Sequence, residues 1–266
     1  MESIAIIGAG ISGMTAAYYL SRRYRVTLFE ENTRPGGHAD TQDIMIDGKR
    51  FSVDTGFIVF NDRTYPNFIR LLNELDCRYE PTEMSFSVKH SARNLEYNGH
   101  NLNTLFAQRN NLLRPSFLGM IKDVLRFNME APSVCPDDTR SLGEYLCDNR
   151  YGERFQQDYL LPMAAAIWSA GSDAIKQFPV VALIRFFHHH GLIQLRDRPR
   201  WRVIRGGSRN YVDLMRARLK DVRTGSTVTR ITRDDDHVTI ESGGGKYNFD
   251  RVVIATHSDQ ALAMLA

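Results

Sequence analysis

Three cysteines in 266 residues, Cys77, Cys135 and Cys147, are too few and too far apart for a disulfide framework. There is no C-x-x-C pair, and no Cys/His cluster has zinc-ligand spacing, so no metal centre is expected. The thiols read as reduced, which fits a cytoplasmic protein. No apolar run approaches the ~18 residues of a membrane-crossing helix. Ile4–Ile7 is too short for a secretory signal and runs straight into glycines, so export is not expected. Charge of one sign is also lacking. Lys and Arg number 34 against 31 Asp and Glu, a formal net charge of +3. The basic residues are scattered among acids with no stripe of interleaved aromatics, which argues against a nucleic-acid partner. No Walker loop and no Ser-His-Asp order appears. What remains, 42% hydrophobic and 24% charged residues, is an ordinary globular composition long enough for one large domain or a domain with a cap.

The informative stretch is "IAIIGAGISGMTAAYYL", Ile4 to Leu20. A short apolar strand stops at Gly8, glycines follow at Gly8, Gly10 and Gly13, and a helical pattern begins. In such a strand–turn–helix the first glycine permits the tight turn and the second lets the backbone approach a pyrophosphate. The third lets helix and strand pack closely. The helix start, with Ile11 and Ser12, offers free N–H groups to phosphates, and the Ser12 hydroxyl is a further donor. "YRVTLFE" reads as the second strand of a βαβ unit, and Glu30 ends it. A carboxylate there is placed to accept hydrogen bonds from ribose hydroxyls, and it disfavours a 2′-phosphate by like-charge repulsion. "RPGGHADT" then sets Arg34, Gly36 and Gly37 just beyond Glu30. Paired glycines let a second backbone loop close over the cofactor, with Arg34 able to meet a phosphate or ribose. A domain for NAD alone does not need that loop, so the expected cofactor is FAD.

These residues resemble the superfamily of FAD-dependent amine oxidases, protoporphyrinogen oxidases and phytoene desaturases. Its signature is the glycine turn, the acid, then R-x-G-G and a threonine, here Gly8/Gly10/Gly13, Glu30, Arg34/Gly36/Gly37 and Thr41. Where the family often carries arginine after the paired glycines, this sequence has His38. "FSVDTGFIVFNDRTYPNF" is similar to the family's segment near the flavin ring, which implies contacts from Thr55, Gly56 and Phe57. "IRGGSRNYVDLMRARL" is similar to the stretch that returns the chain from the cap, with Gly206 and Gly207. "STVTRI" is similar to the strand beside the adenine, which carries over Val228. "FDRVVIATHSDQAL" is similar to the late strand ending at Ala255 and Thr256. Within the superfamily the chain most resembles a bacterial amine-oxidase-like subgroup, to whose cap segments "YLLPMAAAIWS" and "FFHHHGLIQL" are similar. The family's C-terminal segment, in which a helix N-terminus faces the flavin, has no counterpart before the chain stops at "DQALAMLA", so the chain is read as an incomplete member.

The fold class implied is α/β: a Rossmann-like, glutathione-reductase-type FAD-binding domain with an inserted, mainly helical substrate or cap domain. Expected boundaries are 1–100 for the first part of the FAD domain, 101–200 for the helical region and 201–266 for the second part. The helical patterns run from Asn101 to about Asp197 and are interrupted by prolines. A hairpin with Asp47-Gly48 at its turn is expected over 43–54, and the clusters "RDDD" and "SGGG" read as turns between late strands. His188, His189 and His190 are consecutive, so a helix cannot aim all three at one ion, and they read as a helix end. Trp168, Phe186 and Phe187 could line an apolar pocket, and core packing is preferred. "LLRPSFLGMIKDVLRF" is apolar at Leu118, Ile121, Val124 and Leu125. It reads as a helix packed in the cap, with weak membrane-surface association as the alternative.

The implied activity is an FAD-dependent oxidoreductase that removes a hydride from a C–N or C–C unit of a small organic or lipid-like substrate. Alternatives are a desaturase or isomerase of an apolar lipid, or a non-catalytic remnant that binds only the ADP moiety. No catalytic residue is assigned, and the oligomeric state is not readable.

Overall fold

The computed structural model describes residues 1–194 and 198–265. Leu195, Asp197 and Ala266, which fall within segments discussed above, lie outside the described residues. The chain is α/β and divides into two units. One comprises Met1–Phe60, Tyr65–Thr82 and Arg202–Ala266; the other comprises Asn61–Thr64 and Glu83–Trp201.

The first unit is built on strand β1 (Ser3–Ile7), helix α1 (Ile11–Leu20) and strand β2 (Arg25–Phe29). All five residues of β1 are buried, as expected for a parallel strand covered on both faces. The hairpin β3 (Thr41–Ile46) and β4 (Lys49–Asp54) follows, then helix α2 (Pro66–Leu75). After the second unit the chain returns through Trp201–Ile204 to helix α3 (Arg209–Arg216) and strand β5 (Asp221–Arg223). Strands β6 (Val228–Arg233), β7 (Val238–Ser242), β8 (Gly245–Phe249) and β9 (Arg251–Ile254) precede helix α4 (Ser258–Leu265). The central sheet has the order β5–β2–β1–β9 and its pairings are all parallel, with Ile6 opposite Leu28 on one side and Val253 on the other.

Alternation along β1 decides where the core sits. Ile4 and Ile6 face one layer, with Met14 and Ala17 of α1, Leu71 and Leu72 of α2, and Tyr211 and Met215 of α3. Ala5 and Ile7 face the other, with Ile231, Ile240, Phe249 and Met264. Burying each such aliphatic or aromatic side chain contributes about 1.5–3 kcal/mol, so both layers hold β1 in place. The antiparallel meander β6–β7–β8 turns at the two expected clusters. Asp234 N–H donates to His237 O at 2.9 Å in the first, and Gly243 and Gly244 take φ of +57° and +77° in the second.

The β3–β4 hairpin turns at Asp47 and Gly48, both with positive φ, the left-handed pair that a two-residue hairpin turn requires. One face carries Ile44, Ile46, Phe51 and Val53, all exposed. On the other face Asp43 accepts from Arg50 at 2.6 Å, from Ser52 at 2.7 Å and from Arg209 of α3 at 2.7 Å.

The second unit is mainly helical, with helices Pro115–Glu130, Leu142–Asp148, Leu161–Trp168 and Val180–His189. It begins earlier than residue 101. The hairpin Ser87–His90/Leu95–Asn98 places Val88, Leu95 and Tyr97 in the helical unit's own core, so residues 83–100 belong with the helices. Their alternation is that of any hairpin, and only its packing partners distinguish the two units. Helix Pro115–Glu130 buries Phe117, Met120 and Phe127, with Ile121 and Val124 partly buried. Leu118 and Leu125 are each 43% exposed, although the sequence makes them equally apolar. The rings decide the face: Phe117 meets Tyr97 and Phe106, and Phe127 meets Tyr145, Tyr151 and Phe155, at centroid distances of 5.5–6.5 Å. Trp168 packs against Phe178, Phe186 and Phe187 as part of this core. His190 caps its helix, with the ring stacked 4.0 Å from that of Phe186. Among the described residues no helix is long and apolar enough to cross a membrane.

Candidate cofactor site

The turn between β1 and α1 is held by main-chain bonds. Gly8 N–H donates to Phe29 O at 2.8 Å, and Ala255 N–H donates to Ile7 O at 2.8 Å. Gly8 has φ +95°, and a Cβ there would come 2.9 Å from Ala255 O. A Cβ on Gly13 would overlap Gly8 O and approach the Ala255 side chain, so the third glycine is needed for the contact of helix and strand. Gly10 differs from both. Its φ is −67°, open to any residue, and a Cβ there would meet nothing within 4 Å. It lines an open crevice, and a side chain would stand in that space. Beside it no side chain caps α1 and no acid lies in the first turn, so the helix start presents N–H groups toward an anion.

Glu30 is 7% exposed and firmly held. Its Oε2 accepts from Ala9 N–H at 2.7 Å, within the glycine turn, and its Oε1 accepts from Asn32 N–H and Nδ2, both at 2.9 Å. The second glycine pair lies directly on the first turn. Gly36 N–H donates to Ala9 O at 2.7 Å, and a Cβ on Gly37 would stand 3.0 Å from Gly10 Cα. With φ of +122° and +56°, both glycines occupy the region that disfavours a side chain.

The crevice has a volume of about 1030 Å³, at the upper end of small-molecule sites and suited to an elongated dinucleotide. Eleven of the fifteen residues expected at the site line it: Gly8, Gly10, Ile11, Ser12, Glu30, Gly36, Gly37, His38, Phe57, Val228 and Ala255. Gly13, Thr55, Gly56 and Arg34 do not. Gly13 packs behind the turn. A Cβ on Gly56 would overlap His38 O, so Gly56 lets its own segment pass close to His38. Arg34 is engaged elsewhere: its guanidinium binds Asp40 at 2.8 Å and Ala39 O at 3.3 Å. Thr55 Oγ1 in turn donates to Asp40 at 2.8 Å. The hydrogen bond from Thr55 leads the influences that hold the Asp40 carboxyl below its usual range, with Gln42 and Arg34 adding to it.

Other lining residues were not singled out from the sequence. Asn32 fixes Glu30, and its place two residues after the acid was a readable signal. His257 follows Ala255 and Thr256 directly, and its ring stacks at 6.2 Å and 11° on that of His38. Tyr65, Phe68 and Tyr211 join Phe57 in an aromatic group, with Phe57–Phe68 at 5.5 Å and Phe68–Tyr211 at 5.3 Å. Only the tertiary fold brings them together.

The family model of flavin containing amine oxidoreductase matches residues 11–265, nearly the whole chain. The chain belongs to the flavin-containing amine oxidoreductase family. Its cofactor is FAD, and the crevice fits that group because the Gly10 position leaves open the cradle a Cβ would fill. Two solved relatives of this fold are an engineered putrescine oxidase and cyclohexylamine oxidase from Brevibacterium oxydans IH-35A. They match with TM-scores of 0.69 and 0.70 at 20% and 19% identity, in each case over 96% of this chain. The chain spans 58% of the length of both. Among curated proteins, coproporphyrinogen III oxidase of Staphylococcus aureus is 51% identical over 39 residues, which is 14% of this chain and 8% of that protein.

Proposed function

We propose that this family member holds FAD along the crevice and serves an oxidoreductase that removes a hydride from a C–N or C–C unit of a small organic or lipid-like substrate. The diphosphate lies over Gly8, Gly10 and the N–H groups at Ile11 and Ser12. The ribose hydroxyls reach Glu30. Gly36, Gly37 and His38 cover the cofactor from the second loop, Val228 lies beside the adenine, and Phe57 and Ala255 lie toward the flavin. Arg34, Gly13, Thr55 and Gly56 shape these groups from behind. FAD held there supplies the hydride acceptor. The aromatic group of Phe57, Tyr65, Phe68 and Tyr211 offers an apolar lining that excludes water from the flavin side. The three free cysteines favour a reducing, cytoplasmic setting.

The observation that carries the reading is the open Gly10 position beside a fixed Glu30 carboxylate. The experiment is titration of the protein with FAD, followed by flavin fluorescence, and then anaerobic addition of candidate amines. Saturation at one FAD per chain and amine-dependent bleaching of the flavin are expected. A protein that takes up no FAD, or one whose bound flavin no amine and no aliphatic substrate bleaches, would refute the reading.

A further inference from the structure

The helical unit contains a second cavity, of about 270 Å³, lined by Arg93, Arg114, Arg154, Ser116, Asp158 and an apolar group including Phe117. Asp158 is fully buried within the π-helical turn Gln156–Leu160, an irregularity that recurs at functional sites. Its two oxygens are held separately. Arg93 Nη1 donates to Oδ1 at 2.8 Å, and Arg154 Nη1 donates to Oδ2 at 3.0 Å. Tyr97 donates to the Asp158 carbonyl at 2.6 Å, which fixes the turn from behind.

Three guanidinium groups therefore share a cavity with one carboxylate. Arg93 also reaches Glu153, a carboxylate outside the lining, at 3.0 Å. Among the described residues Arg154 donates from Nη1 alone. So does Arg114, to Asn94 O at 3.3 Å and Asn111 Oδ1 at 3.1 Å. Among the described residues their remaining nitrogens have no protein acceptor. The helix Pro115–Glu130 adds its start, with Ser116 in the first turn and no side-chain cap. The cavity is thus rich in cationic donors, while Leu95, Phe117 and Met120 give it an apolar wall.

We infer that this cavity binds a small organic carboxylate with a short apolar tail. A planar carboxylate matches the guanidinium fork, and its charge offsets the surplus of cations. The tail lies on Leu95, Phe117 and Met120. A guanidinium fork also suits phosphate, and it is the apolar wall that favours a ligand carrying a tail. At roughly 30 Å³ per water the volume holds about nine waters' worth of ligand, enough for a head group and a short chain. None of the lining residues belongs to the cofactor crevice.

The test is calorimetric titration of the FAD-loaded chain with hexanoate, hexanamide and inorganic phosphate. Hexanoate should bind saturably and at least about tenfold tighter than the other two, the effect of one charge-assisted contact. Arg114→Gln and Ser116→Glu should each weaken hexanoate by about tenfold or more while leaving FAD binding unchanged. Ser116 is exposed, and a glutamate in the first turn favours the helix, so the second variant stays folded and its melting temperature serves as the control. Absence of saturable hexanoate binding would overturn the inference. So would equal affinity for hexanamide or phosphate, or wild-type affinity in both variants.

Discussion

The Asp54 carboxylate accepts three hydrogen bonds from Ser208, two from its amide at 2.9 and 3.1 Å and one from its hydroxyl at 2.7 Å. Thr41 donates to the same carboxylate at 2.6 Å and accepts from Arg209 N–H at 2.9 Å. These contacts fasten the start of α3, where the chain returns from the helical insertion, to the β3–β4 hairpin. Gly207 completes the junction, since a Cβ there would overlap Thr41. Asp54→Ala should lower stability by about 2–4 kcal/mol, because buried donors lose a charged acceptor. Asp54→Asn should lie between the variant and the wild type. Urea denaturation checks both.

The glycines of the phosphate turn should separate by role. Gly10→Ala adds a methyl to open space at an ordinary φ, so the melting temperature should hold while FAD affinity falls at least about tenfold, as expected for displaced phosphate contacts. Gly13→Ala overlaps Gly8 O and should cost about 1–3 kcal/mol of stability together with the cofactor. Thermal melts and FAD titrations of the two variants, side by side, distinguish the roles. Equal behaviour of the pair would contradict the assignment.

Glu30→Gln sets an amide NH₂ against the donors that now meet carboxylate oxygens, Ala9 N–H or the two donors of Asn32. A loss of about 1–3 kcal/mol in stability is expected even without cofactor, with weaker FAD binding on top. Denaturation of the apo and FAD-loaded variant separates the two effects.

Much of this site was legible because its signals are local. The βαβ pattern, the glycine spacing, Glu30 at the end of β2 and the Asp47-Gly48 turn each follow from a few adjacent residues, and the structure places them accordingly. Arg34 was not legible. Whether it faces the crevice depends on Asp40, which Thr55 fixes from a neighbouring strand end. The aromatic group is similar, since Tyr211 reaches Phe57, Tyr65 and Phe68 from beyond the long insertion at Glu83–Trp201. The face of helix Pro115–Glu130 was obscured because apolar residues occur around most of its circumference, and distant rings select which are buried.

Acid should loosen the first unit. Arg50, then Arg209 and Ser52, hold the Asp43 carboxyl far below its usual range, and Ser3 does the same more modestly for Asp250. A depressed folded pKa contributes stability that is complete above the unfolded value, near ~3.9, and is lost as pH falls through the folded one. The wild type should therefore lose stability progressively below about pH 4. Asp43→Asn should be less stable at neutral pH and show a shallower loss on acidification. Denaturation midpoints measured along a pH series would check the slope, and an unchanged slope would remove Asp43 from the explanation.

Burial, reinforced by the Asp76 charge, pushes the Cys77 thiol up to about 11. Cys135 and Cys147 are exposed. Mass spectrometry after iodoacetamide treatment at mildly alkaline pH should find adducts on those two alone, with Cys77 modified only after unfolding.

Glu30 and Ala9 make the two halves of the cofactor cradle a single rigid body before any ligand arrives. A carboxylate already pinned by three donors has no rotamers left to lose, so its ordering entropy falls on folding rather than on association. Capture of the cofactor then needs little rearrangement at this end, and substitutions here should register in how long the cofactor stays rather than in how fast it arrives.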